Sequence, residues 1–200
     1  MPPKQKITKD AIADAAFSIV ERKGLPFLTA RNVSEMMGIS TKPIYFYFSC
    51  MADLRKETMR KAAEILLAYM SRPYTDHIFL NMGIGFTFFA RDYKILYRHM
   101  FMENNEFKDL VEDFFINVRQ QIKKDKKFIN MTQKERDDML NTMWIFTHGL
   151  ASFICVGLIE NHSDSFIIKT LEKVGSAVID TAVRKKRKYK PIVKTRRTHA

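Results

Sequence analysis

LTARNVSEMMGISTKPIYFYFSCMADL, residues 28–54, reads as a short helix, a tight turn, a second short helix ending in aromatics, and the start of a third helix. Thr29 can cap a helix over Ala30–Met37, its hydroxyl accepting a backbone N–H that the first turn leaves unpaired. Val33, Met36 and Met37 then fall on one face at i, i+3, i+4 spacing. Gly38 stands where a left-handed residue would stop that helix. Ser40 is placed to cap the next one, with Thr41 as the alternative because Pro43 disfavours helical geometry at Lys42. Pro43 falls in the first turn, where a missing N–H costs little. Ile44 and Phe48 share the inward face of this second helix, which leaves Thr41, Lys42, Tyr45 and Tyr47 to point elsewhere.

A unit of this kind can place its second helix in the DNA major groove. Residues at the start of that helix read base edges, while neighbouring groups hold phosphates. Thr29, Ser40 and Thr41 are short donors at helix starts, suited to phosphate oxygens, and Pro43 shares the same exposed first turn. Arg31 and Lys42 are the cations within reach of phosphate or guanine. Tyr45 and Tyr47 can donate an O–H to phosphate while their rings lie on sugar or a thymine methyl. The plainer alternative is that Thr29 and Ser40 only cap and the tyrosines only pack. For Tyr47 the contact role is favoured, because Ile44 and Phe48 already fill the buried face.

The stretch resembles the reader domain of the tetracycline-repressor (TetR) family of transcription regulators. Thr29, Arg31, Val33, Gly38, Ile39, Ser40, Ile44, Tyr45, Tyr47, Phe48, Asp53 and Leu54 follow the family's order and spacing. The likeness is specific over residues 8–60 and architectural beyond. Two places depart from it. Met51 stands where the family often has a phosphate-contacting Lys, and Lys42 and Pro43 replace a Gly and a small polar residue. The resemblance implies a homodimer on an operator in double-stranded DNA, joined by the last two long helices of each subunit, and a small-molecule effector.

Composition agrees with such a protein. Two hundred residues suffice for a real core, and 46% hydrophobic residues with only 7 Gly favour long helices. The formal charge of +12 favours a polyanionic partner. Residues 1–60 hold ten Lys and Arg against six Asp and Glu, whereas residues 184–200 hold nine and none. Most of the surplus is therefore in the tail, which reads first as a solvated end and second as added non-specific DNA affinity. Cys50 and Cys155 have no metal-ligand spacing around them, and no apolar segment follows the basic N-terminus. A cytoplasmic location with reduced thiols, and no cofactor or metal, is the expectation. No phosphate-cradling Gly loop, H-E-x-x-H or nucleophile elbow is present, which argues against an enzyme.

Helical patterning continues through the rest of the chain. A first helix after Thr8 buries Ile12, Ala15, Ala16, Ile19 and Val20 and stops at Gly24. Another, over 51–71, aligns Leu54, Thr58, Ala62, Ile65 and Tyr69. Further helices are expected at 74–90, 93–102, 107–124, 132–160 and 165–185, with a solvated basic loop at 123–127. The run at 143–159, MWIFTHGLASFICVGLI, could instead be a membrane span. It is short for one and carries Thr147, His148 and Ser152. An all-round apolar helix is more simply one buried between its own body and a partner. Ala151, Cys155 and Gly157 are assigned to that subunit interface, with Gly149 and Ser152 also small enough for close approach. Phe79, Met82, Phe86, Met100, Phe101, Phe115, Trp144 and His148 are candidates to line a pocket for a small apolar or amphipathic effector. Such stripes are usually plain core, and about half are expected to face a cavity.

The expected whole is an all-α protein. A three-helix helix-turn-helix domain occupies 1–50, with the motif at 29–48. A regulatory and dimerisation domain follows at 51–185, and a basic tail at 186–200. The expected function is a ligand-responsive repressor. A membrane-associated helical protein and a helical enzyme without recognised motifs are the competing classes. Deleting residues 186–200 should lower non-specific DNA affinity and flatten its salt dependence, while sequence preference survives. Salt titrations of both chain lengths check this; loss of preference with non-specific binding intact would mean that the tail reads sequence.

Overall fold

The structure, a computed structural model, describes residues 7–103, 105–125 and 128–184. The tail expected at 186–200, and Lys126 and Lys127 of the expected basic loop, lie outside these. The described residues form α-helices and two short 3-10 turns, with no strand among them. The architecture is all-α, with an N-terminal helix-turn-helix unit and a larger helical body.

The N-terminal unit is α1 (Lys9–Lys23), α2 (Ala30–Met37) and α3 (Lys42–Tyr47). Thr8 Oγ1 accepts the Ala11 N–H and Thr29 Oγ1 the Asn32 N–H, each at 3.1 Å. Gly38 ends α2 at φ 64°, and the Ile39 N–H reaches back to the Ser34 carbonyl. That is the closure a left-handed glycine permits. Ile12, Ala16, Val20, Val33, Ile44 and Phe48 form the shared core of the three helices. Details of the sequence expectation change here. Ala13 is buried where Ala15 was expected, because Ala15 lies at the edge of the stripe and is half-buried. Met36 is 49% exposed, since Val33 already occupies the line of contact with α1.

The body comprises α4 (Met51–Met70), α5 (Ile78–Asp92), α6 (Lys94–Phe101), α7 (Lys108–Lys124), α8 (Gln133–Cys155) and α9 (Asp164–Arg184). α4 buries Leu54, Thr58, Met59, Ala62, Leu66 and Met70, leaving Ile65 and Tyr69 half-buried. α5 starts later than its apolar run. Asn81 accepts from the Thr75 N–H and hydroxyl and donates to the Thr75 carbonyl, holding 75–77 as a turn. Lys123 and Lys124 continue α7 rather than opening a loop. α8 opens with a capping box between Thr132 and Glu135. It ends at Cys155, five residues before the expected 160. Gly157 has φ 80°, and the Leu158 N–H bonds the Phe153 carbonyl at 2.8 Å. No helix of the described residues is long and apolar enough to cross a membrane.

The core is continuous across residue 51. The apolar cluster of the first three helices runs through Leu54, Met59 and Leu66 into Phe86, Phe89, Leu96 and Tyr97. An ion pair between Lys61 and Asp14 ties α4 to α1 on the outside. The tightest point lies further along α4. A Cβ on Gly85 of α5 would collide with the carbonyl of Tyr69 and come within 2.6 Å of Met70 Cα. Only glycine lets these two backbones cross at this distance. Gly85→Ala should therefore destabilise the protein by about 1–3 kcal/mol through overpacking. Gly83→Ala, one position pair away, meets only contacts of 3.8 Å or more. It should be neutral or gain up to about 1 kcal/mol of helix propensity. Urea unfolding of both variants checks the contrast.

Candidate nucleic-acid interface and cavity

The helix-turn-helix presents a compact polar and aromatic surface. Thr29, Arg31, Ser40, Thr41, Lys42, Tyr45 and Tyr47 are exposed, and Pro43 is half-buried. These residues thus come together on the α2 start and on α3. Ser40 does not cap α3. Thr41 holds that position through its backbone, its carbonyl accepting the Ile44 N–H at 3.1 Å, and neither hydroxyl bonds the helix end. Pro43 has already removed one of the N–H groups that a side-chain cap would serve. The Ser40 and Thr41 hydroxyls are left open to solvent. Arg31 donates through Nε to Glu35 at 2.7 Å, and this carboxylate raises the guanidinium pKa above its ordinary value. Both partners are solvated, so the pair is weak and an incoming phosphate can compete for the cation.

Tyr47 departs from expectation. Its O–H donates to the Ile7 carbonyl at 3.1 Å and so fastens the entry of α1 to the end of α3. The one phenolic hydrogen is therefore occupied inside the chain. Phe46, which the sequence reading passed over, is 81% exposed and stands edge-to-face with Tyr47 at 5.0 Å. Its only signal in sequence is its place: between Tyr45 and Tyr47, two residues after inward-facing Ile44 and two before Phe48. Apart from that edge contact, a phenyl ring projecting this far from a six-residue helix adds little to the chain's own packing.

The body contains a cavity of about 180 Å³ between α5, α7, α8 and α9. Of the residues singled out in the sequence, Phe79, Met82, Phe86, Phe115 and Trp144 line it. Met100, Phe101 and His148 do not. Met100 and Phe101 lie on α6, which packs into the core beside α1, and His148 turns to a different partner. Tyr97 OH lies 2.9 Å from His148 Nδ1 and 3.1 Å from Ser152 Oγ, joining α6 to α8. His148 also stacks on Trp144, with ring centroids 5.2 Å apart. Burial pushes the Tyr97 phenol well up and the His148 imidazole down. The polar lining that sequence did not single out includes Arg119, Asn141 and Ser176 near solvent and Thr147 inside.

Two elements connect the cavity and the helix-turn-helix unit. Met70, the last residue of α4, lines the cavity, and the other end of α4 adjoins α3. At the top of α6, His99 Nε2 accepts the Leu25 N–H at 3.1 Å, while Nδ1 faces Glu103 at 2.6 Å. Leu25 opens the 3-10 turn between α1 and α2.

Of the expected interface residues, Ala151 and Cys155 are buried within the chain itself, whereas Gly157 is exposed. Ala151 is fully buried, and Cys155 is buried with its thiol pointed at the Lys94 carbonyl; both belong to the chain's own core. Gly157 lies beyond the helix and serves its termination. The outward face of α8 is instead Ile145, Gly149, Phe153 and Val156, with Ile145 72% and Phe153 52% exposed. Trp144 and His148 do face the interior, away from that strip.

The lowered His148 pKa has a pH consequence. A base with a folded pKa below its unfolded value of about 6.5 favours folding fully above that value. The advantage is lost as pH falls below it. Thermal unfolding should therefore weaken more between pH 7.5 and 5 in the wild type than in His148→Gln, as buffers of about these values test. Equal losses would mean that His148 carries no such burial penalty.

No family profile and no curated relative matches the sequence. Solved structures do. A protein from Rhodococcus sp. described as a TetR-family transcriptional regulator superposes with a TM-score of 0.63 at 16% identity, over 85% of this chain and 97% of that one. A TetR-family transcriptional regulator from Streptomyces coelicolor matches at 16% identity and a TM-score of 0.46, over 93% and 100% of the two chains. With its helix-turn-helix, its long linking α4 and its helical body, the chain has the fold of the TetR-family transcriptional regulators.

Proposed function

We propose that the protein is a transcription regulator that binds an operator as a homodimer and leaves it when a small molecule fills the body cavity. The observation that carries this is the exposed surface of α3. Lys42, Tyr45 and Phe46 project from a helix whose Ile44 and Phe48 are rooted in the core. An 81% exposed phenylalanine gains little from its edge contact with Tyr47. A thymine methyl or a sugar would give it a partner, with Lys42 on phosphate or guanine. The Ser40 and Thr41 hydroxyls and Thr29 complete the phosphate contacts. Met51 supplies no cation, so Lys42 and Arg31 bear the charge on this face.

Dimerisation is supported by the outward strip of α8. Ile145, Phe153 and Val156 recur at helical spacing, and Gly149 has open space where its side chain would be. A second copy packed on this strip would form an isologous interface and give the two-fold symmetry that a palindromic site asks for. Repression by occupancy then follows if the effector prefers a dimer geometry that misaligns the two α3 helices.

Selection from random duplex DNA tests this reading. The expected product is a palindrome with half-sites about 10–10.5 base pairs apart, or a multiple of that. On that duplex, Lys42→Ala and Phe46→Ala should each weaken binding by about 1–3 kcal/mol. Tyr47→Phe should act mainly on stability, by about 0.5–1.5 kcal/mol, because its hydrogen bond is internal. Phe153→Asp should yield monomers that no longer hold the palindrome. Failure to enrich any sequence, or full affinity in both α3 variants, would refute the proposal.

A further inference from the structure

Thr147 and half-buried Thr170 differ from the other helical threonines among the described residues, and Thr147 is the one that is buried and lines the cavity. Thr58, Thr87, Thr142 and Thr181 each return their hydroxyl to the carbonyl four residues earlier. The Thr147 side chain makes no hydrogen bond among the described residues, although the residue is only 6% exposed. It lines the cavity, and its Oγ1 lies 3.8 Å from the position a Cβ on Gly83 would take, on the facing wall of α5. The fully buried unpaired polar atoms among the described residues are Tyr74 OH and Arg136 Nε, so Thr147 Oγ1 is not sealed off but opens into the cavity, where a ligand can give it a partner.

The rest of the cavity sets the size and shape of that ligand. Its volume of about 180 Å³ is slightly more than the ~150 Å³ of an engineered cavity that accepts benzene. Phe86, Phe115 and Trp144 offer ring faces and edges, with Trp144 and Phe115 edge-to-face at 4.6 Å. Arg119 and Glu172 bring opposite charges to the rim, so neither sign of ligand charge is favoured there. The buried Asp125 carboxylate is already engaged by protein groups.

We infer that the cavity takes a neutral, single-ring aromatic molecule bearing one hydrogen-bonding group, and that Thr147 is the residue that meets this group. The ring lies among Phe86, Phe115 and Trp144, and its hydroxyl or carbonyl exchanges a hydrogen bond with Thr147 Oγ1. This inference rests on reading the cavity as the effector site, and it adds the effector's chemical class and the group that selects it.

Phenol and toluene are the probes. Trp144 is the chain's one tryptophan and lines the cavity, so its emission reports occupancy. In the full-length protein both probes should perturb that emission. Thr147→Val, of nearly equal shape, should weaken phenol roughly tenfold and leave toluene unchanged or tighter. Thr147→Ser, which keeps the hydroxyl, should retain phenol binding and guards against a folding defect. Equal phenol affinity in wild type and Thr147→Val, an equal loss for toluene, or no response to either probe would overturn the inference. DNA binding measured alongside separates the two proposals. Intact operator binding with no probe response sinks only the ligand class. Phenol bound through Thr147 by a protein that holds no DNA sustains it and sinks the regulator.

Discussion

The crossing of α4 and α5 at Gly85 governs how this molecule can work. The two backbones touch there without an intervening side chain, against Tyr69 and Met70. α4 is twenty residues long and so spans about 30 Å. One of its ends adjoins the α3 surface and the other lines the cavity through Met70. Packed interiors resist compression. In the proposed mechanism, a displacement of α5 by an effector would pass to α4 with little room to be absorbed, and α4 would carry the first three helices with it. The continuous core from Ile12 to Tyr97 and the Lys61–Asp14 pair leave no soft joint at residue 51.

A second connection runs through α6. Tyr97 holds α6 to His148 and Ser152 of α8, and His99 of the same helix accepts the backbone N–H of Leu25. His148 in turn stacks on Trp144 at the cavity wall. Two chains of contact thus lead from one cavity to the helix-turn-helix, one by backbone crossing and one by buried hydrogen bonds. Contact alone does not establish coupling. What these contacts supply is a rigid path with few degrees of freedom.

Local chemistry was legible in the sequence and tertiary placement was not. Thr8, Thr29 and Gly38 act within a few residues of themselves, so their roles follow from neighbours alone. Ile44 and Phe48 were readable for the same reason. The α8 run is apolar on every side, and such a helix carries no phase. Its inward Ala151 and Cys155 could not be told from its outward Ile145 and Phe153. Gly157 sits in the same run, yet its left-handed backbone ends the helix. Phe46 was masked by the residues on either side of it. Of the eight aromatic, Met and His candidates, five line the cavity because α5, α7 and α8 face one another there; the sequence does not show that α6 packs elsewhere. The polar group that matters most, Thr147, looks in sequence like any helical threonine.

The coupling itself can be measured directly. Cys50 is exposed at the start of α4 and Cys155 is buried, so a nitroxide reagent labels Cys50 selectively. Pulsed electron spin resonance then gives the distance between the two Cys50 sites of a dimer, next to the paired α3 helices. Saturation with phenol, verified by Trp144 emission, should move that distance distribution to a new mean, and Gly85→Ala should blunt the move in whatever fraction remains folded. An unchanged distribution with the cavity demonstrably filled would contradict transmission through α4.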